Sequence, residues 1–133
     1  MIDDKSPPGS WAKAMKQPKQ SERLVQRAII KAIVKMGFRT AHVPNGAQLA
    51  GGPQSRARQM NALKGDGLLV GFPDLIIFGS GGRIGFLEVK NEGGKQSANQ
   101  IKVQAWMDND GHKYSVVRSV DDVAETLGEW GWI

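Results

Sequence analysis

"GFPDLIIFGSGGRIGFLEVK", residues 71 to 90, places two apolar runs on either side of a glycine-serine turn. That pattern predicts a β-hairpin with strands over 72–78 and 83–90. Its charges need a separate explanation, because Asp74 opens the first run while Glu88 and Lys90 close the second. With the turn centred near Gly81, facing residues have numbers that sum to 162, which sets Asp74 opposite Glu88. Opposed Cβ atoms lie about 4.5 to 5.5 Å apart, and the period of two keeps Glu88 and Lys90 on one face. All three charges are expected at one end of the sheet.

Like charges opposed across a sheet are destabilising, and carboxylates crowded in a partly buried place resist joint ionisation unless a cation neutralises them. A divalent metal resolves the conflict. Asp74, Glu88 and the Val89 carbonyl form a hard oxygen set, suited to Mg²⁺ with retained waters rather than to Zn²⁺. Water on such an ion ionises more easily and can attack phosphorus, with Lys90 orienting it or stabilising the transition state. The plainer reading is that Asp74 ends a loop and Glu88 pairs with Lys90 at a solvated edge. Residue types alone leave both open.

Working outward, residues 20–133 read as one α/β domain with a mixed sheet flanked by helices. Residues 1–19, with "SPPGS" and scattered lysines but no apolar period, read as a mobile basic arm. From Ser21 a helical period takes over in Leu24, Val25, Ala28, Ile29, Ala32, Ile33 and Met36, with Ser21 as N-cap and Gly37 as terminator. "FRTAHV" predicts a strand stopped by Pro44 and Asn45-Gly46. "PQSRARQMNALKGDG" predicts a short basic helix capped by Ser55 and ended by Gly65. Ser97 starts a helix to about Asp110 with Ile101, Ala105 and Met107 inward, "KYSVVR" a strand, and Ser119 a last helix whose first turn holds two aspartates.

Composition narrows the function classes. The chain has no cysteine, which excludes thiolate metal sites and disulfides. No stretch has the roughly 18 consecutive apolar residues of a membrane span, and no signal sequence is visible, so a cytoplasmic protein is expected. A net charge of +5 favours a polyanionic partner. Arg56, Arg58 and Lys64, which helical spacing is expected to bring together, and Lys95 are the candidate phosphate contacts.

"PD" at 73–74 with "EVK" at 88–90 resembles the PD-(D/E)XK nuclease signature. Together with "SE" at 21–22, "VPNG", "SRARQMNALKGDGLLVGFPDL", "GGKQSANQ" and "YSVVRSVDD", the chain over residues 21 to 127 resembles the VRR-NUC nucleases, especially the compact single-domain kind of bacteriophages. The resemblance implies a restriction-endonuclease-like core in which Glu22, Asp74, Glu88 and the Val89 carbonyl serve the metal. It makes Lys90 the catalytic lysine and Gln100 the matching glutamine, with Gln104 as second candidate. It further implies Mg²⁺, with Mn²⁺ as a substitute, 5′-phosphate and 3′-hydroxyl products, a homodimer, and branched DNA such as Holliday junctions as substrate. The setting would be the host cytoplasm if the chain is phage-encoded. One departure is Ala98 where proline usually starts the helix. A flap or restriction-type endonuclease and a non-catalytic DNA-binding module are the alternatives.

His42 and His112 lack ligand-like spacing. Trp106 and the "EWGWI" tail are expected to pack, in the core or at a dimer interface. Arg118 is left between a phosphate and an acidic neighbour.

Overall fold

In the computed structural model, residues 21–44 and 49–133 are described. The expected basic arm and the Asn45-Gly46 turn lie outside them. Ser21 caps the first helix, its hydroxyl accepting the Leu24 N–H, and α1 runs Glu22–Lys35 with Val25, Ile29 and Ile33 buried along one stripe. Gly37 follows the cap at φ +92, where a side chain would be strained. The remaining elements are β1 (Arg39–His42), α2 (Pro53–Gly65), β2 (Leu75–Phe78), β3 (Ile84–Val89), α3 (Ala98–Asn109), β4 (Lys113–Val117) and α4 (Val120–Glu129). Their order is the one predicted, with the hairpin strands shorter than expected.

The sheet is mixed, ordered β1-β2-β3-β4, with β1, β2 and β3 antiparallel and β4 parallel to β3. A parallel neighbour needs a crossover, which α3 supplies. Leu75 pairs with Leu87 and Ile76 with Phe86, so the register is the predicted one. One step further along, Asp74 faces Glu88.

Each sheet face has its own core. Leu75, Ile77, Leu87, Val89 and Val117 pack with the α1 stripe and with Val123 and Leu127 of α4. On the other face, Tyr114, Phe72 and Phe86 meet Val103 and Met107 of α3. Burying one such aliphatic side chain contributes about 1.5 to 3 kcal/mol, so these faces fix where the strand ends lie. Trp130 and Trp132 also pack on the first core, the former so closely that a Cβ on Gly85 would overlap its ring. The tail is therefore packed within the protomer.

Some sequence expectations fail. Ile101 is 54% exposed and Ala105 is exposed too, while Val103 and Met107 are buried. The reason is polar: the inward face of α3 also carries Gln100, bonded to Glu88, and Gln104, bonded to Gln96. An apolar period cannot reveal a half-polar buried face. Ser55 is not the cap of α2, because Gly52 takes that place with Pro53 in the first turn. The Ser55 hydroxyl instead accepts from Gln59 Nε2 at 3.1 Å. Among the described residues, no helix is long and apolar enough to cross a membrane.

Candidate active site

Glu88 lies where β3 ends, and its alternation in the strand turns it to the α3 face, 0% exposed. One carboxylate oxygen, Oε1, accepts from Gln100 Nε2 at 3.0 Å. The other, Oε2, is buried without a hydrogen-bond donor. The Asp74 carboxyl stands within hydrogen-bonding reach of the Glu88 carboxyl. Two ionised carboxylates have no hydrogen to share, so a proton, a cation or a donating water has to come between them. Burial first, then the Asp74 contact and charge, push the Glu88 pKa up to about 9, against the lowering pull of Lys90.

Asp74 is aimed by the backbone opposite. Its Oδ2 accepts the Val89 N–H at 2.8 Å, a bond that follows from the hairpin register and orients the carboxyl toward Glu88. Lys90, 8% exposed, follows β3 and is tied to the neighbouring strand by its N–H to the Val117 carbonyl. Its ammonium lies 3.9 Å from Glu22 Oε1 at the start of α1. Among the described residues, this is the one ion pair. Glu22 thus stands beside the lysine, and its charge also reaches Glu88.

Gln100 does two jobs with one carboxamide. Its oxygen accepts the Ser97 N–H at 2.8 Å while Ser97 Oγ accepts the Gln100 N–H, a capping box that fixes the first turn of α3. Its nitrogen, on the other side of the fixed carboxamide, donates to Glu88. The approach is set by Gly71, where a Cβ would lie 2.5 Å from the Asn99 carbonyl carbon. Gln104, the second candidate, bonds Gln96 rather than either carboxylate. Ala98 in place of proline leaves the helix start intact.

The structure adds supports that the sequence reading missed. His42 Nδ1 lies 3.1 Å from the Asp74 carbonyl, which also accepts the Val43 N–H, and 3.2 Å from Gln26 Nε2 on α1. A bond formed across 32 positions leaves no trace in local spacing. Arg118 meets an acidic neighbour through its backbone N–H, which donates to Asp122 Oδ2 at 2.8 Å, while its guanidinium donates to the Asn91 and Gly94 carbonyls and holds the loop that follows Lys90. The buried Tyr114 hydroxyl accepts from Gln96, and burial with Glu88 nearby raises its pKa.

Arg56, Arg58, Lys64 and Lys95 are exposed and take no part in the carboxylate cluster. Nor do the helical three share one face, since Arg56 and Arg58, two residues apart, point about 200° from each other.

Among the described residues, no three His, Cys, Asp or Glu side chains gather into a metal cage. The donors nevertheless fit Mg²⁺, which is commonly held by one or two carboxylates and otherwise by water and substrate oxygens. Glu88 has a buried, partnerless Oε2, and its carboxyl lies beside that of Asp74, so an ion between the two groups would remove an electrostatic conflict.

Neither a family profile nor a curated protein matches the chain. Among solved structures, the chain is similar to a VRR_NUC domain, with a TM-score of 0.57 and 20% identity, over 83% of this chain and 97% of that one. The two share a fold, here a mixed four-stranded sheet flanked by helices.

Proposed function

We propose that the chain is a VRR-NUC nuclease of the PD-(D/E)XK class that hydrolyses DNA phosphodiesters with Mg²⁺. One observation carries this reading: a fully buried glutamate with an undonated oxygen faces Asp74 at the end of a hairpin, with a nearly buried lysine two residues on. A merely structural carboxylate would be exposed or satisfied. The similarity to a VRR_NUC domain supports the same class.

Asp74, Glu88 and the Val89 carbonyl are the residues that would hold the ion, with Glu22 close by; Mn²⁺ is expected to substitute. When bound, the metal supplies a more acidic water and offsets charge on the phosphoryl oxygens. The chain's own part is positional. Gln100 and the Val89 N–H keep the two carboxylates convergent, and Lys90 offers donors to the attacking water or to the charge developing on phosphorus. Water adds to phosphorus and the bond to the 3′ oxygen breaks, that oxygen leaving with a proton. The products are a 5′-phosphate and a 3′-hydroxyl.

The preferred substrate in this reading is branched DNA, with Holliday junctions first, cut by a homodimer whose two-fold axis relates the paired strands. Ile101 and Trp106 of α3 are exposed large apolar side chains outside both cores. The test uses end-labelled linear, flap and four-way DNA with Mg²⁺, Mn²⁺ or chelator, mapping every product end. Paired symmetric nicks in the junction, absent with chelator, are expected. A monomer that only trims flaps would refute junction resolution, and metal-independent inertness on all substrates would refute the nuclease.

A further inference from the structure

α2 is the anomaly of the fold. It is a 13-residue helix without a buried residue, and among the described residues it packs against no other helix or strand. Isolated helices of about 12 to 15 residues are marginal in water, and most helices in proteins depend on a packed face. Among the described residues no packed face of that kind supports α2, which is tied to the loop before it by Gln59, bonded to the Ala50 backbone.

Its chemistry narrows the partner. "PQSRARQMNALKG" contains three cations and no acid. Arg56, Arg58 and Lys64 are exposed and, among the described residues, form no ion pair. A second copy of the chain is a poor occupant, because a two-fold contact would oppose these like charges across an interface with only Met60 and Leu63 as partly buried large apolar residues. A polyanion is complementary.

The distribution around the axis narrows it further. Arg56 and Arg58 project about 200° apart, so a helix lying flat on an anionic surface would satisfy one and strand the other. A groove with phosphates on both walls satisfies both. The major groove of B-DNA is about 12 Å wide, and a helix with its side chains measures about 10 to 12 Å across. Eight residues, 66 to 73, connect α2 to Asp74, so whatever holds the helix is also held near the carboxylates.

We propose that α2 enters the major groove of a duplex arm of the substrate, with Arg56 and Arg58 meeting opposite groove walls. This rests on the nuclease reading for the identity of the polyanion. It adds the duplex character of the arm and the element that reads it.

The test measures binding, not cleavage: fluorescence anisotropy with a 20-base-pair duplex and with single-stranded DNA of equal length, in chelator, over a salt series. Ala57→Pro breaks α2 at an exposed interior position, and because α2 contributes nothing to either core the melting temperature should stay within about 2 °C of wild type. Duplex affinity should fall at least tenfold. Arg56→Gln and Arg58→Gln should each reduce the slope of log K against log salt by about 0.9. Dimethyl sulfate should find guanine N7 protected by wild type and unprotected by Ala57→Pro.

Unchanged duplex affinity in Ala57→Pro would overturn the proposal. So would a salt slope that responds to only one arginine, protection confined to the minor groove, or tighter binding of the single strand. A dimer lost in Ala57→Pro with DNA binding intact would assign α2 to a second copy instead, and also overturn it. A wild-type protein that binds duplex through α2 yet cuts nothing would keep this proposal and sink the nuclease; normal cutting by Ala57→Pro at unchanged affinity would do the reverse.

Discussion

The β2–β3 hairpin carries charge at both ends and treats it in opposite ways. At the turn, Arg83 donates to the Ser80 carbonyl and hydroxyl and lies over the rings of Phe38 and Trp132. Hydrogen bonds and ring faces both hold that guanidinium. At the open end, Glu88 is fully buried with one oxygen lacking a donor, pressed by a second carboxylate. Charge kept for stability finds partners within the fold, whereas charge left in conflict by an otherwise satisfied structure points to something the fold must bind.

Breaking the unsatisfied end should have the largest effect. Glu88→Gln and Lys90→Ala are each expected to lower junction cleavage at least about 10³-fold, equivalent to roughly 4 kcal/mol of transition-state stabilisation, while duplex affinity in chelator stays within a few-fold. Wild-type cutting rates in either variant would refute the site assignment.

The next effect concerns pH. The folded-state pKa of Glu88 is raised above the ordinary glutamate value of 4.5 to about 9, so the fold favours its protonated form. That stability is fully present below the unfolded pKa and is lost as pH rises toward the folded one. Calorimetry on metal-free protein should show a melting temperature that drops by roughly 10 °C between pH 5 and pH 9. Mg²⁺ should restore it at high pH by binding the folded state, and Glu88→Gln should flatten the profile. A flat wild-type profile would mean that the carboxylate is not under strain.

The satisfied end should respond least. Arg83→Ala removes two ring contacts and two hydrogen bonds at an exposed turn, so a loss of about 1 kcal/mol in chemical denaturation is expected. Cleavage should not change. A large loss of activity there would erase the contrast between the two ends.

The parts that sequence made legible share a physical basis. The hairpin register follows from the period of two and a glycine turn, and α1 from a clean 3.6-residue period. The caps at Ser21, Ser97 and Ser119 follow from hydroxyls placed before helical runs. Convergence of Asp74, Glu88 and Lys90 came from register alone. Gln100 came from family resemblance, since a capping residue bonded to a buried acid has no local signature. The errors arise where burial is polar or absent. Ile101 and Ala105 were the apolar choice on α3, but the buried face includes Gln100 and Gln104. On α2, with no packed face, grouping Arg56 with Arg58 mistook sequence proximity for a shared side. The supports from His42 and Arg118 depend on loops meeting strands 24 to 32 positions away, which only the tertiary fold reveals.

Gly71 has no functional group, yet it lets the chain before Asp74 pass against the first turn of α3. An alanine there would push the Asn99–Gln100 peptide outward and draw the glutamine off its glutamate. A random library scored for dead enzyme should therefore return this glycine beside the acids and the lysine, as a silent spacer whose loss mimics theirs.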